Sequence, residues 1–159
     1  SAKGGTIEKR PYEILKPRKK RLEIINRGIS EEKPIFAGDT DINRFASYVK
    51  NVKPKDGFYD VALHGSPTSA EFFGEDIDAY TLAVIIRNRK DYISGTKVRL
   101  LSCSTGNTDE TGDCFAQILA NELGIEVEAP TKDILVYQDG AFDIGEKNDG
   151  EMKIFYSRK

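Results

Sequence analysis

From Pro34 onward the chain alternates between two hydrophobic periods. KPIFAG reads as a short buried strand. Ile42, Phe45, Ala46 and Val49 then recur at helical spacing, with Asp39, Thr40 and Asp41 as N-cap candidates ahead of them. KPKDG breaks that helix, and FYDVALHG reads as a strand ending at His64. Residues 66–76 read as a loop containing Gly74. A helix is predicted from Asp76 to Tyr92, with Leu82, Ile85, Ile86 and Ile93 facing inward, and SGT stops it. KVRLLSC is a strand ending at Cys103, and STGNTDETGD is a polar surface loop. A third helix is predicted from Cys114 to Leu123, with Phe115, Ile118, Leu119 and Leu123 inward and Gly124 as a left-handed C-cap. IEVEAP is a strand, ILVYQDGAFDIG a hairpin turning at Asp139-Gly140, and EMKIFYSR a last strand.

Strands alternating with helices predict an α/β domain: a mostly parallel central sheet flanked by helices, with a C-terminal β-hairpin. The first third is harder to read. Residues 1–10 are polar, and YEIL and RLEII are candidate short strands separated by Pro17. The expected organisation is a basic N-terminal arm over 1–33 and an α/β body over 34–159.

Charge sharpens that division. Residues 1–27 hold nine lysines and arginines against three acids, and the remainder holds fifteen against twenty-three. A basic arm on an acidic body implies an anionic contact, either with a partner or with the body itself. KPRKKR, residues 16–21, has the composition of a nucleic-acid patch, but no aromatic residues interleave with its cations as a single-strand platform requires. A solvated basic stretch is the plainer reading, and nucleic acid is not an expected partner. The 159 residues suit one domain. No apolar run approaches the roughly 18 residues of a membrane span, and the N-terminus has no apolar signal segment. Two cysteines and one histidine supply neither a disulfide framework nor a four-ligand zinc site, so no metal is expected.

Chemistry concentrates where strands end. In an open α/β sheet, ligands bind beyond the carboxyl ends of the strands. His64 closes one predicted strand and Cys103 another, and adjacent parallel strands lie about 4.8 Å apart. An imidazole beside a thiol can activate it as a nucleophile. Gly65 has no Cβ to obstruct a substrate carbonyl, and its N–H is an oxyanion donor candidate. Each residue also has a plain structural reading, since cysteine is among the most buried residue types and a histidine can simply end a buried strand. Asp60, Asp76 and Asp78 are equal candidates to orient the imidazole, with solvated or capping carboxylates as the plainer reading of all three. Asp109, Glu110 and Asp113 are either an acidic lip favouring a basic substrate or a solvated loop. Cys114, at a helix start, reads as packing.

The order of a strand ending in His-Gly (VALHGSP) and a second ending in Cys (KVRLLSCSTG) resembles the caspase-like cysteine peptidases. The stretches DAYTLAVIIRN, GDCFAQILANELGIEVEAP and the tail from YQDGA through EMKIFYSRK extend the likeness over roughly residues 58–159. The likeness is to the autoprocessing cysteine protease domain of large bacterial toxins, of the RTX and large clostridial types, and also to polymorphic-toxin effector domains.

The resemblance implies a caspase-like three-layer sandwich with a C-terminal flap and a Cys103–His64 dyad cleaving peptide bonds, in some members within the parent chain. It further implies delivery as part of a larger toxin to the target-cell cytosol, and, in the effector setting, an immunity protein as partner. Inositol hexakisphosphate is the implied allosteric activator, with Lys16 through Arg21 and Lys153 as candidate contacts. Two alternatives stand beside the peptidase. One is Cys-His chemistry used for deamidation or acyl transfer. The other is a non-enzymatic module that binds through the basic arm.

Overall fold

A computed structural model describes residues 18–32, 34, 35 and 44–159. A four-stranded sheet forms the centre, built from β1 (Phe58–Val61), β4 (Lys97–Leu100), β5 (Val127–Pro130) and β8 (Met152–Phe155), in the order β1-β4-β5-β8. The first three strands run parallel, and β8 pairs antiparallel with β5. The architecture is α/β, with a mostly parallel sheet flanked by helices on both faces.

Side-chain alternation along the strands assigns one core to each face. Val61, Leu63, Val98, Leu100, Val127 and Ala129 point toward α1 (Arg18–Ser30), α3 (Ala79–Asn88) and α4 (Phe115–Leu123). Ala62, Leu101 and Cys103 point the other way, toward α2 (Phe45–Val49) and the hairpin of β6 (Ile134–Val136) and β7 (Phe142–Ile144). That hairpin turns at Asp139-Gly140, with Gly140 at φ 89°. The turn is docked on α2: Asn51 Nδ2 donates to the Gln138 carbonyl at 2.9 Å, and the Gly140 backbone sits against the Asn51 carbonyl, where a side chain has no room.

Three expectations need correction. RLEII is not a strand but part of the thirteen-residue helix α1. Its inward residues Ile24, Ile25, Gly28 and Ile29 follow helical spacing. A Cβ on Gly28 would meet Ile85 at 2.8 Å, so the missing side chain lets α1 lie directly on α3. Residues 66–76 are not a plain loop. Ala70–Phe72 (β2) and Glu75–Ile77 (β3) form a hairpin whose turn residues, Phe73 and Gly74, both have positive φ, the pattern of a type I′ turn. The helix expected from Asp76 to Tyr92 is shorter at both ends. Asp78 caps it by accepting from Thr81 N at 2.8 Å. Arg89 leaves helical geometry, and its buried guanidinium donates to the Gly28 carbonyl (2.6 Å), the Tyr59 hydroxyl (3.0 Å) and Asp91 (3.0 and 3.1 Å). Satisfying a buried cation outweighs one more helical turn, and Ile93, expected inward, is 78% exposed.

Helix α4 matches its predicted span with Cys114 as N-cap, and Gly124 ends it at φ 67°. Phe115 and Leu119 are fully buried, while Ile118 and Leu123 pack on the same core half-exposed. Of the strand expected over KPIFAG, Pro34 and Ile35 are described, and the buried Ile35 accepts from Ala62 N through its carbonyl at 2.8 Å. The rest of that strand, YEIL, Lys16, Asp39, Thr40, Asp41 and Ile42 lie outside the described residues.

Candidate functional site

The sheet register aligns the two candidate residues. β1 pairs with β4 from Phe58↔Lys97 to Val61↔Leu100. The same offset, carried three residues further, sets His64 opposite Cys103. Regular pairing ends at Val61 and Leu100, short of the predicted ends, but the chains stay together beyond it. Leu101 N donates to Val61 O at 2.8 Å, and a Cβ on Gly65 would lie 2.9 Å from the Cys103 carbonyl. Alternation places His64 with Ala62, and Cys103 with Leu101, on the face covered by α2 and the β6–β7 hairpin.

Rows of side chains cross this face. The first is ionic: Asp60 stands beside Arg99 and Arg99 beside Glu128 in the register. Arg99 binds Asp60 in a fork at 2.7 and 2.8 Å, and Glu128 takes Lys55 at 2.6 Å. The second row, Ala62 and Leu101, is apolar and fully buried. The third is His64 and Cys103, both partly exposed.

The loops holding this third row are anchored from several sides. His64 O accepts from Glu71 N, and Ser66 N donates to Ser69 O, both at 2.8 Å, which bridges Gly65 to Ala70. Those two bonds leave the Gly65 N–H outside the ladder, and among the described residues no hydrogen bond uses it. The first N–H groups of α4 tie both loops together: Phe115 N donates to Pro67 O at 2.8 Å and Ala116 N to Thr105 O at 3.0 Å. These donors have no partner within the helix, so they are available to fix the loops. The Ser102 and Thr105 hydroxyls bond each other at 3.0 Å beneath.

The His64 ring packs on the Phe45 ring, with centroids 5.1 Å apart. The Cys103 thiol donates to the Ile134 carbonyl at 3.8 Å. Burial pushes this thiol above its usual range. A backbone hydrogen bond at Ile134 works in the opposite direction, and the nearby Asp133 carboxylate adds to the rise. The net shift favours the neutral thiol over the thiolate. Ser104, next in the chain, holds a left-handed conformation at φ 58°, and its hydroxyl donates to Asp133 at 2.7 Å. Beyond it opens a polar groove of about 440 Å³, lined by Ser104, Lys132, Asp133, Glu146, Lys147 and Asp149 among others.

The other candidates are placed elsewhere. Asp60 is held by Arg99, Asp78 caps α3, and Asp76 lies exposed on β3. Asp109 organises its own loop by accepting from Thr111 N and Asp113 N, while Asp113 pairs with Arg158 at 2.8 Å. Cys114 is fully buried, and burial raises its thiol. Of the basic arm, Arg21 donates to Thr81 at 2.9 Å and Lys20 lies 3.9 Å from Glu75, so α1 rests on the body. Lys153 is on β8, above the Phe155 ring. Among the described residues, no group of three His, Cys, Asp or Glu is placed to hold a metal, and no helix is long and apolar enough to cross a membrane. Asp133 and its groove were missed in the sequence, because they sit in TKD, an ordinary polar link between two strands.

A family model described as a domain of unknown function, DUF8616, matches residues 34–152. The chain belongs to that family. No curated protein and no solved structure matches it.

Proposed function

We propose that this domain is a cysteine peptidase with a Cys103–His64 dyad. One observation supports the reading: the β1–β4 register, whose last pair is Val61↔Leu100, aligns the only histidine with a partly exposed cysteine when it is carried three residues further, and Gly65 lies against the cysteine's backbone. His64 takes the thiol proton as substrate binds, and the thiolate attacks the scissile carbonyl carbon. The Gly65 N–H stabilises the oxyanion. The imidazolium then protonates the leaving amine. Water, deprotonated by His64, hydrolyses the thioester and regenerates the thiol.

The likeness of VALHGSP and KVRLLSCSTG to toxin autoprocessing domains supports a caspase-like sandwich, with the β6–β7 hairpin as its flap. On this reading the domain is delivered within a larger bacterial toxin to the target-cell cytosol. Its substrate is a peptide bond of a target protein or of the parent chain, an immunity protein is a candidate partner, and inositol hexakisphosphate is a candidate activator at the α1 cations.

The test is hydrolysis of a peptide library with mass-spectrometric detection. Cys103→Ala and His64→Ala are each expected to lose about 10³-fold or more in kcat, while Cys114→Ala retains turnover. New peptide termini support proteolysis. Mass shifts on intact side chains would instead indicate deamidation or acyl transfer. Turnover that survives Cys103→Ala removes the mechanism.

A further inference from the structure

We infer that Asp133 is a specificity-determining residue that selects a basic side chain, lysine or arginine, on the acyl side of the bond that Cys103 cleaves. This inference rests on the peptidase reading of Cys103.

Asp133 immediately precedes Ile134, whose carbonyl accepts the Cys103 thiol, and it accepts the hydroxyl of Ser104, which immediately follows Cys103. The Ser104 hydrogen bond ties the exposed Asp133 carboxylate to the turn that follows Cys103, and the thiol contact holds the next residue, Ile134, against Cys103. The turn is itself rigid. Ser104 is left-handed, its N–H donates to Lys132 O at 3.1 Å, and Gly106 N donates to Pro130 O at 2.8 Å. Asp133 lines the groove that opens at Ser104, the residue that follows Cys103 in the chain.

The charge balance of the groove is incomplete on the acidic side. Lys132 is taken by Asp149 at 2.6 Å. Among the described residues, no lysine or arginine pairs with Asp133 or Glu146, and Lys147, which is exposed, is the one lining cation without an acidic partner. A lysine or arginine side chain is long enough to cross such a groove, and it supplies charged donors to a carboxylate that no lysine or arginine among the described residues pairs with. An aspartate or glutamate there would face two carboxylates, and a leucine would strip water from them without compensation.

A seated cation also offsets the Asp133 charge that opposes ionisation of Cys103, so the preferred side chain eases formation of the thiolate as it binds. The acidic selectivity therefore sits at Asp133 and Glu146, not at the Asp109–Asp113 loop, where Asp113 is spent on Arg158.

The test uses matched peptides that differ only in the residue before the scissile bond (Arg, Lys, Gln, Leu or Asp). The folded wild type is compared with Asp133→Asn and Asp133→Glu. The wild type is expected to favour Arg and Lys over Leu by about tenfold or more in kcat/KM. Asp133→Asn is expected to lose about tenfold or more on the basic peptides while changing the Gln peptide less than about threefold, and Asp133→Glu is expected to recover the preference. Separately, the pH profile of Cys103 alkylation is expected to move to lower pH in Asp133→Asn; this readout needs no turnover, and the buried Cys114 contributes little to it.

Wild-type enzyme cleaving Leu or Asp peptides as well as Arg peptides overturns the inference and leaves the peptidase reading standing. Equal losses on every peptide in Asp133→Asn do the same. Wild type that cleaves none of the peptides, with an unshifted alkylation profile, overturns both.

Discussion

The two faces of the sheet are built to different ends. The face under α1, α3 and α4 is a continuous apolar layer, in which Phe115, Leu82, Ile85, Ile86 and Leu119 are wholly buried. The face under α2 and the β6–β7 hairpin has a small apolar core and three rows of different chemistry: an ionic row, an apolar row, and the His64–Cys103 row at the open end. One face supplies most of the hydrophobic stabilisation. The other spends part of its area on charged and reactive groups, and is held in place by hydrogen bonds from loops and from the α4 N-terminus. The site is therefore expected to be sensitive to small backbone shifts, and the opposite face to lost volume.

The largest stability effect is expected from Phe115→Ala on the helical face, at about 3–5 kcal/mol of unfolding free energy. Ile144→Ala on the buried side of the hairpin is expected near the lower end for such truncations, about 2 kcal/mol, because its core is smaller and can relax. Denaturant titration of both variants checks the order, and a larger loss from Ile144→Ala would break the comparison.

Gly65→Ala tests the site from the other side. The new Cβ would meet Thr105 Cγ2 at 2.8 Å and the Cys103 carbonyl at 2.9 Å, so the two site loops must part. The expected cost in stability is about 1–3 kcal/mol. The loss of peptidase turnover should exceed what unfolding explains, as read at a temperature where the variant stays folded.

Alkaline pH probes both faces together. Burial raises Cys103 and Cys114, and burial with the Asp91 hydrogen bond raises the Tyr59 phenol. In the unfolded chain these groups lose their protons first. Between the two pKa values the unfolded state binds fewer protons, so stability falls as pH rises. The melting temperature is expected to hold to about pH 8.5 and then to decline, more steeply past about pH 10 as tyrosines ionise. Tyr59→Phe should flatten the steep part, and an unchanged slope would show that burial of Tyr59 contributes nothing to it.

The smallest effect is expected at the surface. Removing the Lys97–Glu126 pair, 3.0 Å apart and half-exposed, should cost about 0.2–1 kcal/mol on either measure of stability and leave turnover untouched.

The hairpin and helix errors share a cause. RLEII follows a run of cations that made its apolar residues look isolated, yet Ile24, Ile25, Gly28 and Ile29 already carried helical spacing; what decided helix was α3 on the other side of Gly28. FFGE holds the positive-φ pair of a tight turn, but Phe in that position gives little warning. Helix α3 ended early because Arg89 has four hydrogen bonds waiting for it, two to Tyr59 and Gly28, far away in sequence, and two to Asp91.

The sequence by itself determined the alternation of strands and helices, the cap at Gly124, and the placing of His64 and Cys103 just beyond the ends of two parallel strands. Those follow from period and local chemistry, which act over a few residues. Tertiary structure alone decided that α1 lies on the body, that α4 ties the two loops together, and that Asp133 stands beside Cys103. Each of these is a contact between residues distant in the chain, and no local pattern encodes which distant group will arrive.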